Sequence, residues 1–155
     1  MTTVLAPREV FERMRRHWLS GGSAWDEEEL ADDVVIETPF SPPGARRIEG
    51  RENWLAFTGP QRARPPVRFE DCREIAIHQT IDPEVIIVEY ELTATVTTTG
   101  FRSSAAFVGV LRVRDGKTLM WREYQNVLAM SLALGTLPQV VEAYQSGTAE
   151  TASTG

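Results

Sequence analysis

The chain has 155 residues, enough for one domain with its own core, and its hydrophobic (42%) and charged (25%) fractions are those of a globular protein. A formal net charge of −6 argues against the clustered basic footprint of a nucleic-acid binder. The single cysteine, Cys72, excludes an intrachain disulfide, no Cys/His cluster has zinc spacing, and no apolar run is long enough to cross a bilayer. No secretory signal leads the sequence, so the expected location is the cytoplasm, with neither a nucleic-acid nor a membrane partner.

Pro7 suits the first turn of a helix. Val10, Phe11, Met14, Trp18 and Leu19 then recur at helical spacing until Gly21-Gly22 stops the run. Arg13, Arg15 and Arg16 belong to the solvated side of that helix. Ser23 followed by Asp26 is a capping signal for a short acidic second helix reaching Leu30. Residues 34–40 read as a strand, broken by Pro39 and by "SPPGARR". A third short helix is expected over 53–57, with Trp54 and Phe57 on one buried edge.

The second half is strand-rich. Residues 67–78 alternate, Asp82-Pro83 marks a turn, and 85–97 alternate strictly. Ile86, Val88, Tyr90, Leu92, Ala94 and Val96 share one face of that strand; Ile87, Glu89, Glu91, Thr93 and Thr95 share the other. Residues 101–114 form another long strand, and Asp115-Gly116 turns it into the segment "WREYQNV" at 121–127. Three helices followed by long antiparallel strands give an α+β order. The expected architecture is a cone-shaped α+β barrel, with three N-terminal helices packed on a strongly curved antiparallel sheet and an interior suited to a small molecule. One domain spans 1–145, and the Ser/Thr/Gly/Ala-rich tail 146–155 is expected to be disordered.

The element order and the "RVRDGK…WREY" hairpin resemble the SnoaL-like branch of the nuclear transport factor 2 superfamily, which also holds ketosteroid isomerase and limonene-epoxide hydrolase. "DPEVIIVEYE" and "DGKTLMWREYQNVLAMSLALGTLPQ" are most similar to the phenazine-biosynthesis PhzA and PhzB proteins. The resemblance implies a dimeric cone enclosing a pocket that needs neither metal nor organic cofactor. It also implies a pocket role for Glu123, which matches an acidic residue of that group. Other family reagents are replaced. Phe57 stands where PhzA and PhzB carry histidine. Thr38, Met14 and Gly109 stand where ketosteroid isomerase carries its base, its tyrosine and its protonated acid. Glu89 and Glu91 stand at the Arg-x-Asp pair of the epoxide hydrolase.

By strand parity, Leu119 and Trp121 accompany Glu123. The residues alone leave open whether Glu123 faces a cavity or solvent; the resemblance favours the cavity. Glu91 is expected inward beside Glu123, where two close carboxylates raise one pKa and make a general acid or base usable near neutral pH. This orientation assigns the apolar row Ile86, Val88, Tyr90 and Leu92 to a homodimer interface. Trp18, Thr38, Phe40, Trp54, Phe57, Phe107 and Trp121 are the expected substrate-binding wall. His17, His78 and Cys72 read as ordinary surface or structural groups, and Arg122 should face away from Glu123. The expected function is a cofactor-independent acid/base enzyme, a cyclase, isomerase or condensing accessory enzyme, acting on a small apolar natural-product intermediate. A non-catalytic binding or scaffolding protein and an epoxide hydrolase are the alternatives.

Overall fold

The computed structural model describes residues 3–60 and 64–153. Helix α1 (Pro7–Leu19) begins on Pro7, and the Glu9 carboxylate accepts a hydrogen bond from the Ala6 N–H at 2.8 Å. Gly21, at φ +83°, turns the chain out of it. The acidic segment that follows is a single 3₁₀ turn (Glu27–Glu29), shorter than the expected helix. The cap is formed by Asp26 and Glu29 rather than by Ser23 and Asp26: Glu29 reaches back to the Asp26 N–H at 2.8 Å, and strand β1 (Leu30–Thr38) starts at once.

Strand β2 (Arg46–Glu49), helix α2 (Arg51–Phe57) and strands β3 (Val67–Gln79), β4 (Val85–Val96), β5 (Arg102–Arg114) and β6 (Lys117–Tyr124) complete the sheet region. Two further helices, α3 (Val127–Leu134) and α4 (Leu137–Ser153), close the chain. Asn126 caps α3 by accepting from the Ala129 N–H at 3.2 Å. The backbone of α4 is helical through Ser153, past Ser146, where the disordered tail was expected to begin.

The sheet runs β2-β1-β6-β5-β4-β3. Every neighbouring pair is antiparallel except β1 and β6, which are parallel. Among the described residues the expected α+β architecture of helices on a strongly curved sheet is present, and the sheet is left unclosed, with β2 and β3 as its edges. Register shifts in the β1/β6, β3/β4 and β5/β6 pairings bend the sheet. The β5–β6 turn uses Asp115 and Gly116, both with positive φ, as the sequence demands.

Helix α1 lies on the inner face of the sheet. Its Val10, Phe11 and Met14 are buried there with Val34, Val88, Tyr90, Leu111 and Trp121. Each such large apolar side chain stabilises the fold by roughly 1.5–3 kcal/mol when fully buried. The apolar row of β4 is therefore covered by the chain's own first helix. Ile86, Val88, Tyr90 and Leu92 are all buried within one protomer, which corrects their expected assignment to a dimer interface.

Candidate active site

A cavity of about 590 Å³ opens between the inner sheet face, α2, α3 and the loop after α1. Trp25, Ile36, Leu92, Phe107 and Trp121 are its deeply buried wall, and Trp18, Trp54, Phe57 and Met130 add further apolar surface. Of the expected wall, Trp18, Thr38, Trp54, Phe57, Phe107 and Trp121 all line it. Phe40 does not. It is 55% exposed, packs edge-on against Tyr124 with ring centroids 5.4 Å apart, and offers its carbonyl to the Tyr144 hydroxyl at 3.1 Å. Pro39 and the following turn carry it off the end of β1, where strand parity no longer applies.

Glu123 projects into this cavity from β6. Trp121 shares its face, as parity requires, but Leu119 does not line the cavity. The register shift after Arg112 puts Thr118 opposite Val113, and both are buried; Leu119 falls in the irregularity. Two donors hold the carboxylate. The Tyr90 hydroxyl donates a short hydrogen bond to Oε2, and Gln125 Nε2 donates to Oε1 at 2.8 Å. Burial pushes the Glu123 carboxyl above its ordinary pKa, opposed by the two hydrogen bonds, which favour the ionised form. Glu123 retains some accessible surface, and that surface belongs to the cavity it lines.

Tyr90 is fixed by its neighbours. Its ring stacks with Trp18 at 5.5 Å and with Phe107 at 5.8 Å between centroids. Burial, with the Glu123 charge beside it, drives the phenol well above its ordinary pKa, so it stays a neutral donor. Gly109 stands opposite Glu123 on β5. A Cβ there would meet Cη2 of Trp121 at 2.1 Å, so the absence of a side chain lets the indole lie against the strand. Trp121 then packs on Phe11, Tyr90 and Trp25 as the cavity floor.

Glu91 lies elsewhere. The register pairs it with Arg73 and Ala106 on the outer face, and its carboxylate is 3.4 Å from the Arg73 guanidinium. Glu89, on the same face, bonds His78 Nε2 at 2.6 Å. The placement removes the geometric basis for a carboxylate pair at Glu123, and it takes both residues at the epoxide-hydrolase position out of the cavity. Arg122 does face away from Glu123, and pairs with Glu37 at 2.6 Å. Tyr90 and Gln125 are the partners that sequence reasoning missed. The signal for Tyr90 was present: one hydroxyl in an otherwise apolar row needs a partner when buried.

His17, Asp26 and Glu29 bring ligand-type atoms within 4.8 Å of one another. None lines the cavity, and both Glu29 oxygens are engaged, by Arg13 at 3.0 Å and by the Asp26 N–H at 2.8 Å. Cys72 is buried, and burial pushes its thiol up to about 11, so it is not a poised nucleophile. Among the described residues, no helix is long and apolar enough to cross a membrane.

Comparison with known proteins fits this geometry. The SnoaL-like domain model matches residues 8–120. The chain belongs to the SnoaL-like domain family. A PhzA/B-like protein of Pseudomonas aeruginosa, itself uncharacterised, is 35% identical over 102 residues, 65% of this chain and 70% of that protein. A candidate isomerase from Bacillus subtilis has a similar structure, with a TM-score of 0.72 at 22% identity over 84% of this chain and 93% of that one. The Δ5-3-ketosteroid isomerase of a Mycobacterium species gives a TM-score of 0.59 at 25% identity, covering 81% of this chain and 97% of that one. The SnoaL-like fold is thus an α+β sheet with a helix-covered inner face, and it is shared with that ketosteroid isomerase.

Proposed function

We propose that this SnoaL-like protein is a cofactor-independent acid/base enzyme, a cyclase or isomerase, acting on a small apolar natural-product intermediate. One observation carries the reading: among the described residues Glu123 is the one acidic side chain lining the cavity, and its desolvation raises its pKa towards the working pH. As a carboxylate it accepts from Tyr90 and Gln125 and takes a proton from an acidic carbon of the substrate. As a carboxylic acid it returns the proton to a second carbon or oxygen. Half a turn of the Gln125 amide presents its oxygen to the protonated form, so the same pocket holds both states. The aromatic wall positions a flat or ring-bearing substrate and excludes water.

Glu123→Gln keeps the shape and removes the titration. Its natural substrate is to be found by comparing metabolites of wild-type and deletion strains. With that substrate the variant should lose about 10² to 10⁴ in turnover while still binding it. Full turnover by the variant contradicts the reading and leaves a binding or scaffolding protein in its place.

We also propose a homodimer, on the outer sheet face rather than the β4 apolar row. Val35, Ile87, Val108, Val110 and Met120 form a half-buried apolar strip there. Light scattering should give twice the 17.3 kDa chain mass. A monomer mass at micromolar concentration contradicts it.

A further inference from the structure

The charges on the cavity wall are ordered. Glu123 lies at the inner end among buried aromatics, whereas Arg46, Arg64 and Arg68 are exposed residues at the outer end. Arg68 is committed, at 3.1 Å, to Glu70, which also takes Arg102 and Thr95. Arg46 and Arg64 are not committed in this way. Among the described arginines, only Arg16, Arg46 and Arg64 have no described carboxylate within 4.0 Å. Two of those three line the cavity. Arg47, the next residue after Arg46, faces the other way and is paired with both Glu37 and Glu49. The contrast between these neighbours is informative in an acidic chain rich in ion pairs.

Arg46 is also held in place. Its guanidinium carbon lies 5.1 Å from the centroid of Phe57, a ring that lines the same cavity. This cation–π contact holds the guanidinium over the ring, and its N–H donors suit a planar or tetrahedral anion. We infer that the ligand carries an anionic group, a carboxylate or a phosphate, which stays on Arg46 and Arg64 at the mouth while its apolar body enters first towards Glu123. This deepens the reading of the cavity as a substrate site, and rests on it. It sets the orientation: an anion would be repelled by Glu123 at the inner end and attracted at the outer end. The carbon that exchanges a proton is therefore remote from the anionic group.

The test is binding, independent of turnover, so its failure is distinguishable from failure of the acid/base reading. The probes are 4-phenylbutyrate, its methyl ester and 3-phenylpropyl phosphate, followed by quenching of the tryptophans that line the cavity. Both anions should bind roughly five- to tenfold more tightly than the ester, with an advantage that shrinks as salt rises. Arg46→Gln and Arg64→Gln should each reduce that advantage and leave ester affinity unchanged, with folding checked by circular dichroism. A tighter acid than phosphate assigns the carboxylate class; the reverse assigns the phosphate class. Equal affinity for acid and ester, no saturable quenching by either anion, or equal loss of all three probes in Arg46→Gln overturns the inference.

Discussion

The two faces of one sheet treat carboxylates in opposite ways. On the outer face, arginines draw the acids down: Glu37 is held below its ordinary range by Arg122 and Arg47, and Glu70 is held at about 2 by Arg102, Arg68 and Thr95. On the inner face, among the described residues, Glu123 is met by a phenol, an amide and aromatic rings rather than by a cation, and burial pushes it up. Identical chemistry on one sheet is thus held ionised by arginines on one side and pushed towards its protonated form by burial on the other. The deciding variable is whether the partner is a charge or a neutral donor in a desolvated space.

The contrast can be broken in graded steps. The largest effect belongs to Glu123→Gln, which removes the inner titration and about 10² to 10⁴ of turnover. The same variant reports on stability. Because the folded pKa is raised, the folded state holds its proton more tightly than the unfolded state. Wild-type stability is then highest below the ordinary glutamate pKa and is lost as pH rises through the folded value. Glu123→Gln should gain on the wild type across that window in thermal melts; a gain that shrinks with rising pH contradicts the burial argument.

Tyr90→Phe comes next. It keeps the stacked ring and deletes the donor to Oε2, so the carboxylate form loses support and the Glu123 pKa moves further up. Turnover should fall about ten- to hundredfold, and the base limb of the pH–rate profile should shift to higher pH. A downward shift would mean that the hydroxyl does not stabilise the charge. Gly109→Ala tests the floor. The added methyl must displace the Trp121 ring, costing about 1–3 kcal/mol in denaturant unfolding and shrinking the cavity so that bulky ligands lose affinity before small ones. Glu91→Gln should do least, since it loosens one partly exposed outer pair. Turnover should be unchanged and stability should move by less than about 0.5 kcal/mol. A large loss of turnover would return Glu91 to the chemistry.

Much of this was legible in the residues. The periodicity of α1, the long strands and the Asp115-Gly116 turn are local patterns, and Glu123 could be placed through its resemblance to a family. The side choice for β4 was not local. Its two faces alternate equally well, and either one satisfies a strand. What decides is that Val10, Phe11 and Met14 of α1 need an apolar floor and take Ile86, Val88, Tyr90 and Leu92 for it, a contact between segments about 80 residues apart. That single inversion sent Glu91 outward and hid Tyr90, which was assigned to an interface. Arg46 was hidden for another reason. It sits next to Arg47 in a loop-like stretch, and only the β1–β2 pairing separates one arginine to the cavity and the other to Glu37.

The central claim is that burial among neutral donors and aromatic rings raises the Glu123 carboxyl above its ordinary pKa. The direct measurement is a side-chain carboxyl NMR titration of the folded protein, with the resonance assigned by its loss in Glu123→Gln. The account predicts that Glu123 titrates above the ordinary glutamate range while Glu37 and Glu70 titrate below it. Titration of Glu123 at or below the ordinary range of about 4.3 would contradict it.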